Sequence, residues 1–391
     1  MNTKIKTPLT EKLVKFGLCS SNGHKMRPDG EIICDAKNEP IPDEKWLTVT
    51  HKLRNLEDLK ILASKALVDY QNWQEIFDRH TISNLVSSYK VKEILERERD
   101  NAWWDNAMAL FSLIAYRDEK DINEFLDAVG FKENDILTIN DEKTDTHGFL
   151  CRFKINEEKT ITIHTWRGTA SPRNWLTNLY TGLAEFLAWK LNSWTSSSNN
   201  SIFTHRGIER SQKASLSKIL VFLNSGPDTI NVLTGHSLGG GLANASVPFL
   251  VQKNKKIARL TTFGAEKSLL DCGLPKLDQK ITAGASRWIS HSDPVSYLPP
   301  WLDVIGTVYY FNNEKGPCHI KHEPPGLKER TCMWRKENPV SHHDLDCYLF
   351  KTRHLAAYLT HVLEGKKEDY VYYYPYPKKC SCIEREKGSG L

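Results

Sequence analysis

The stretch Thr229-Ile-Asn-Val-Leu-Thr-Gly-His-Ser-Leu-Gly-Gly-Gly-Leu-Ala243 decides the fold of this chain. Ile230, Val232 and Leu233 form a short apolar run of strand type that stops at Gly235, and Gly240, Gly241, Ala243 and Ala245 open a helix able to pack closely. Ser237 stands between Gly235 and Gly239 in the pattern G-x-S-x-G. Between a strand and a helix, that pattern makes a sharp turn with strained backbone at the serine and leaves its hydroxyl exposed at the carboxyl end of a sheet. Side chains two residues to either side would collide across so tight a turn, and glycine removes them. The plainer meaning of the same residues is a glycine-rich turn carrying a solvated serine. Partners elsewhere decide between the two, because a serine hydroxyl is a poor nucleophile without a base and a group to orient that base.

Around such a turn, an acid and then a histidine follow the serine in chain order. The acid candidate is Asp293, in Trp288-Ile-Ser-His-Ser-Asp-Pro-Val-Ser-Tyr-Leu-Pro-Pro300. Trp288 and Ile289 read as the end of a strand, and Asp293-Pro294 is a turn-starting pair. Asp293 capping that turn and nothing more is the alternative. Asp278 and Asp303 lie nearby without the strand-end context. The base candidate is His343, in Ser341-His-His-Asp-Leu-Asp-Cys-Tyr348, which opens an apolar run of helical type. His342 is its rival, since consecutive residues cannot both face the serine. A tetrahedral intermediate needs two N–H donors aimed at its oxyanion. Leu238, after the serine, supplies one; the loop after the alternating run Thr160-Ile-Thr-Ile-His-Thr-Trp166 supplies the other at Thr169. His236 and His164 read as structural histidines.

Taken together, these segments resemble the lipase class 3 family, which comprises fungal-type triacylglycerol lipases and their phospholipase A1 relatives. Trp166-Arg-Gly-Thr169 is similar to the family's F-R-G-[ST] oxyanion segment, and Pro172-Arg-Asn-Trp-Leu176 to its hinge and lid helix. Thr204-His-Arg-Gly-Ile208 resembles V-H-x-G-F, with Ile208 in place of the aromatic. Gly235-His-Ser-Leu-Gly-Gly240 matches the family's serine turn, Thr262-Phe-Gly264 its T-[FY]-G strand end, and Asp293 to Pro299 its D-x-V-x-x-L-P. His343-Asp-Leu-Asp-Cys-Tyr348 looks like H-x-L-x-x-Y, which favours His343 over His342. The resemblance runs over roughly residues 100–360, and the stretch from Gly182 to Asn200 has no counterpart. It implies an α/β-hydrolase fold, a mostly parallel sheet flanked by helices, with serine ester hydrolysis on acyl-glycerol or phospholipid substrates at a membrane or micelle interface.

Organisation along the chain fits that expectation. Residues 1–98 read as an accessory segment, partly helical, with Leu53, Leu56, Leu59 and Leu62 near helical spacing; residues 99–365 read as the hydrolase domain and 366–391 as a tail. Trp103 to Tyr116 is a strongly apolar helix, and strands are expected at 149–155, 160–166, 229–235, 257–263, 284–290 and 306–312, with helices at 205–224 and 239–252. Such alternation argues for a parallel sheet covered on both faces. Over 171–194, Trp175, Leu176, Leu179 and Tyr180 begin a broad apolar stripe at helical spacing, read as a lid that opens against lipid; an ordinary core-facing helix is the alternative.

The 391 residues carry a net charge of only +5, with no basic stripe to suggest nucleic acid, though the balance suits weak attraction to anionic lipid. No apolar run approaches the ~20 residues that span a bilayer. The opening residues Met1 to Pro8 lack the apolar core of a secretory signal, which points to the cytoplasm or to export needing no such signal, with peripheral membrane contact. Nine cysteines in such a chain are expected as free thiols. Cys318, His319, His322 and Cys332 match no standard zinc spacing, and Cys380 and Cys382 form no better site, so neither metal nor cofactor is expected. Two competing readings remain: a silent lipase-like scaffold for partner binding, and the same chemistry in a delivered bacterial effector.

Overall fold

The strand that ends in the serine turn lies near the middle of an eight-stranded sheet. In spatial and chain order the sheet runs β1 (Ile136–Asp141), β2 (Thr146–Lys154), β3 (Thr160–Trp166), β4 (Thr229–His236), β5 (Ile257–Phe263), β6 (Ala285–Ser290), β7 (Thr307–Phe311) and β8 (Ile320–Lys321). β3 through β7 pair in parallel. β1, β2 and β3 pair antiparallel at one side and β7 with β8 at the other. The structure, a computed structural model, describes residues 53, 55–67, 92–169, 206–269, 277–290, 293–298, 303–311, 320–321 and 343–365. Residues 171–194, with Trp175, Leu176, Leu179 and Tyr180, lie outside these, as do His342, Cys318, His319, His322, Cys332, Cys380 and Cys382.

Side-chain alternation divides the core into two layers, one on each face of the sheet. Phe149, Cys151 and Phe153 of β2, Ile161 and Ile163 of β3, Val232 of β4 and Phe263 of β5 face one layer. It is closed by α1 (Leu56–Ala66), α2 (Lys92–Ile114), α3 (Glu119–Val129) and α6 (Leu345–Leu363). Leu150, Trp166, Leu233 and Leu260 face the other, under α4 (Arg206–Asn224) and α5 (Leu238–Gln252). β3, β5 and β6 are buried along their whole length, as expected of parallel strands covered on both sides. Thr162 and His164 of β3 tolerate this because their side chains pair across to β4. Thr162 Oγ1 meets Thr229 Oγ1 at 2.8 Å and His164 Nε2 meets Asn231 Oδ1 at 2.8 Å. Burial pulls His164 down to about 4 despite that bond, so it is a neutral core histidine.

Besides the two-residue β8, two elements went unread in the sequence. α3 is a short helix held by its ends: the Asp118 side chain accepts from the Asp121 amide, and Gly130 closes it in the left-handed conformation. β1 has only six residues and mixed polarity, and it exists by pairing with β2. The limit expected at 98/99 falls inside α2, whose helix continues unbroken through it. Glu98 and Asn101 are buried there, not solvated. Leu59 and Leu62 of α1 join the same core layer as α2, so the described part of the leading segment shares the hydrolase core. Among the described residues no helix is long and apolar enough to cross a membrane.

One buried aspartate fastens α2 to the sheet. Asp105 Oδ1 accepts from Arg259 Nε and Nη2 at 3.3 and 3.0 Å and from Thr261 Oγ1 at 2.9 Å, while Oδ2 accepts from Trp288 Nε1 at 2.9 Å. Arg259 in turn donates to Asn101 Oδ1 and Ser286 Oγ, both at 3.0 Å. Removing one partner of such a pair leaves the other charged and unsolvated, at a typical cost of about 3–5 kcal/mol. Asp105→Ala is therefore expected to lower stability by about that much in a denaturant titration; a midpoint like the parent's would show that Arg259 is not left unsolvated without Asp105.

Candidate active site

The register of the parallel strands lines up their carboxyl ends. Trp166 lies opposite Gly235, Gly235 opposite Thr262, and Phe263 opposite Trp288. The segments that leave these ends all emerge at one edge of the sheet, where open α/β sheets hold their ligands.

Ser237 sits between β4 and α5 with φ 59° and ψ −130°, a region that costs a non-glycine residue about 1–3 kcal/mol. It is held there from both sides. Its amide donates to Phe263 O at 3.0 Å, and its carbonyl accepts from the Gly240, Gly241 and Glu266 amides at 3.0, 3.2 and 3.2 Å. The glycine requirement read from the motif has a concrete cause: a Cβ on Gly239 would lie 2.3 Å from Trp166 O and 2.8 Å from Gly168 N. The turn and the segment after β3 thus pack backbone to backbone.

The three residues that the sequence proposed as a triad meet here. His343 Nε2 lies 2.8 Å from Ser237 Oγ, and His343 Nδ1 lies 3.0 Å from each carboxyl oxygen of Asp293. Asp293 therefore faces His343, and its turn-capping bond to the Val295 amide at 2.9 Å is made in addition. Asp303 instead pairs with Leu269 and Val304. Since the carboxylate only accepts, Nδ1 carries the imidazole proton, and Nε2 is left to accept the serine's. Ser237, Asp293 and His343 are all buried, at 3 %, 0 % and 1 % exposure. Leu238 is the first residue of α5, where an amide has no intrahelical acceptor. Thr169 follows Gly168, whose added Cβ would come within 3.0 Å of the serine Cβ. Both proposed oxyanion donors are therefore in segments that border the nucleophile.

Three further residues belong to this site without having been singled out for it. Tyr348, one turn into α6, donates its hydroxyl to Asp293 Oδ2 and accepts the Ser290 amide at 3.0 Å. Burial and the neighbouring carboxylate hold its phenol well above the ordinary value, so it stays a donor. Its position in His343-x-x-x-x-Tyr348 was the available signal. Tyr116, just past α2, bonds His236 Nδ1 at 2.9 Å, across 120 residues of sequence. Glu266 places its amide against Ser237 O, and its buried Oε2 has no partner among the described residues. Burial pushes that carboxyl up to about 8.

Gly264 has φ +52°, and a Cβ there would lie 2.5 Å from Asp293 Oδ2 and 3.0 Å from His343 Nδ1. Gly264→Ala is expected to fold but to lose about 10²-fold in ester turnover, since displacing a positioned group by about 1 Å costs that much; turnover within twofold of the parent would show the Asp–His contact to be tolerant. Glu266 gives a pH prediction. Unfolded, its carboxyl titrates near 4.5; folded, near 8. Between those values the folded state holds a proton that the unfolded state has released, so stability is full below the lower value and falls as pH rises through the upper. The gain in melting temperature from Glu266→Gln is expected to grow between about pH 5 and about pH 9. A gain that is flat with pH would mean that the carboxyl is solvated.

The lipase (class 3) family model matches residues 163–302. No curated protein matches the chain. Among solved structures it is similar to the triacylglyceride lipase of Rhizomucor miehei, at 19 % identity over 58 % of this chain and 83 % of that one, with a TM-score of 0.40. It is similar also to the mono- and diacylglycerol lipase of Aspergillus oryzae, at 22 % identity over 56 % of this chain and 80 % of that one, with a TM-score of 0.40. The family match includes the oxyanion segment, the serine turn and Asp293, and it ends before His343. Over that segment the chain is similar to lipase (class 3) proteins, and the sheet and helices described have the α/β-hydrolase arrangement, which together support a carboxylic-ester hydrolase.

Proposed function

We propose that the chain hydrolyses acyl esters of lipids, as an acylglycerol lipase or phospholipase A1, through an acyl-enzyme on Ser237. The observation that carries this is the continuous contact from Asp293 through His343 to Ser237 Oγ, at 3.0 and 2.8 Å. The Ser237 oxygen attacks the acyl carbonyl while its proton passes to His343 Nε2. The new oxyanion takes hydrogen bonds from the Leu238 and Thr169 amides. Collapse breaks the ester C–O bond, and the imidazolium returns its proton to the departing alcohol. Water then attacks the acyl-enzyme, gives its proton to His343, and the second collapse restores Ser237 and frees the fatty acid. Asp293 keeps the proton on Nδ1 and offsets the charge that His343 carries in each transition state.

The substrate class rests on the family match and on the apolar stripe at 171–194, read as a lid with Trp175, Leu176, Leu179 and Tyr180 on its lipid-facing side. A hydrolase domain with a partly helical leading segment and a tail at 366–391, a lipid interface met peripherally, and a cytoplasmic or signal-independent exported location are parts of the same proposal. A silent scaffold has less in its favour, because nothing in partner binding calls for a hydrogen-bonded serine, histidine and aspartate at 3 % exposure or less.

Ser237→Ala is expected to lower turnover of a short-chain ester at least ~10³-fold and to abolish labelling by a fluorophosphonate. Full activity in that variant would overturn the mechanism. On a panel of glycerides and phospholipids, fatty-acid release is expected to rise at the onset of micelles. If the esterase is active on soluble esters but on neither lipid class, the lipid assignment falls while the chemistry stands.

A further inference from the structure

His236 is fully enclosed between the nucleophile and the general base, yet the hydrolytic cycle above does not use its imidazole. Its ring stacks on that of His343, with centroids 4.5 Å apart and planes inclined by 30°. Its Nε2 lies 2.7 Å from the His343 carbonyl oxygen and its Nδ1 2.9 Å from the Tyr116 hydroxyl. Tyr116 is itself in contact with the oxyanion segment: the Gly168 amide donates to its oxygen, and a Cβ on Gly168 would fall 2.2 Å from that oxygen.

The proton positions along this line follow from the acceptors. The His343 carbonyl can only accept, so His236 Nε2 carries a proton and donates. Burial first, and then the neighbouring His343, pull the His236 imidazole well below its ordinary value, so it is neutral and its Nδ1 is a bare acceptor. Tyr116 must then donate to Nδ1, and burial keeps its phenol protonated for that task. Its remaining lone pairs face the Gly168 N–H. Every bond therefore points the same way, from Gly168 to Tyr116 to His236 to the backbone of His343. Bonds aligned in this way reinforce one another.

Resting on the serine-hydrolase reading above, we propose that Tyr116 and His236 are positioning residues that fix the oxyanion segment and the general base to each other. Gly168 spends its amide on Tyr116, which leaves the next one, at Thr169, to face an oxyanion. At the other end, the bond to the His343 carbonyl and the stacked ring hold the imidazole by its backbone and its face, leaving both ring nitrogens to Ser237 and Asp293. The device links α2, β3, β4 and the turn before α6, none of which is adjacent in sequence. Its effect falls on geometry reached in the transition state, so it acts on kcat and leaves substrate affinity alone.

The test uses the full chain with a soluble short-chain ester, and active sites are counted by fluorophosphonate titration so that unfolded protein is not mistaken for slow protein. Tyr116→Phe keeps the ring and removes the hydroxyl; it is expected to lower kcat per titrated site ~10–100-fold with KM within about twofold. His236→Phe keeps a stacked ring and removes both polar links, and is expected to lose at least as much. Because the two act through one chain of bonds, the double variant is expected to be no worse than His236→Phe alone. The proposal is overturned by parental kcat in either single variant, by a loss carried in KM, or by penalties that multiply in the double variant. Should Tyr116→Phe yield no titratable sites, His236→Gln, which retains an amide donor toward the His343 carbonyl, decides alone: kcat between those of the parent and His236→Phe supports the relay, and kcat at either extreme overturns it. Ser237→Ala serves as the control. If it retains activity, the hydrolase reading itself fails, whereas an inert Ser237→Ala beside an unaffected Tyr116→Phe removes only the relay.

Discussion

A serine held at φ 59° and ψ −130° is a local loss that the surrounding backbone must make good, and the arrangement at this edge of the sheet follows from how it does so. The amide of Ser237 is tied to the last residue of β5, and three amides, two from α5 and one from Glu266, converge on its carbonyl. Those bonds require β5 to end level with β4 and the next segment to turn back under α5. They also bring the backbone after β3 into contact with Gly239. Once these ends are in register, the oxyanion segment, the serine and Gly264 share one edge. The loop after β6 needs only three residues beyond Ser290 to deliver Asp293 there. The strain is thus both a cost of the fold and the reason the parallel strands finish where they do.

Two buried carboxyls near the nucleophile show how the protein separates their chemistry by supplying or withholding donors. Asp293 meets His343 Nδ1, the Val295 amide, Ser296 Oγ at 3.3 Å and the Tyr348 hydroxyl. Those groups replace the water that the carboxylate gave up, which is what burying an anion demands. Glu266 has an unpartnered Oε2 in an equally dry place, and it answers by holding its proton, near pH 8. Sequence type alone does not distinguish the two residues. What separates them is the strand end, the following turn and one tyrosine from α6.

What was legible in the sequence was whatever sits beside a local signal. Ser237, Leu238 and Thr169 stand at strand ends bounded by glycine and Asp293 at an Asp-Pro turn, each read within a window of some ten residues; the helix start offered His342 and His343 alike, and only the family resemblance favoured His343. The strands β2 to β7 were legible for the same reason, since apolar runs and turn residues bound them. Tyr116, Glu266 and Asp105 were not, because their meaning depends on partners far along the chain: Asp105 meets Arg259 across 154 residues and Tyr116 meets His236 across 120. In isolation Tyr116 is the last aromatic of an apolar helix and Asp105 a polar interruption in it. His236 was read as structural from its place in the turn, which its burial and bonds support, but its stacking on His343 has no sequence signature. The limit expected at residue 98 falls inside the charged run Glu93–Asp100, and a charged stretch can be helix surface as easily as linker; here Glu98 turns inward toward Asn101.

α2 is where fold and site become one problem. Its middle carries Asp105, which grips β5 and β6 from inside the core, and just past its end stands Tyr116, which touches the oxyanion segment and His236. A helix of 23 residues is a stiff rod of about 35 Å. Anchoring it at Asp105 therefore fixes where Tyr116 stands, 11 residues and about three turns further on. The buried ion pair contributes little to net stability by the usual accounting, because desolvation offsets most of its attraction. Its value lies in register: a helix packed only by Trp104, Met108 and Phe111 would slide along the sheet at modest cost, whereas four hydrogen bonds converging on one carboxylate admit a single position. On that view the polar core of α2 exists to set the depth at which its far end meets the catalytic edge.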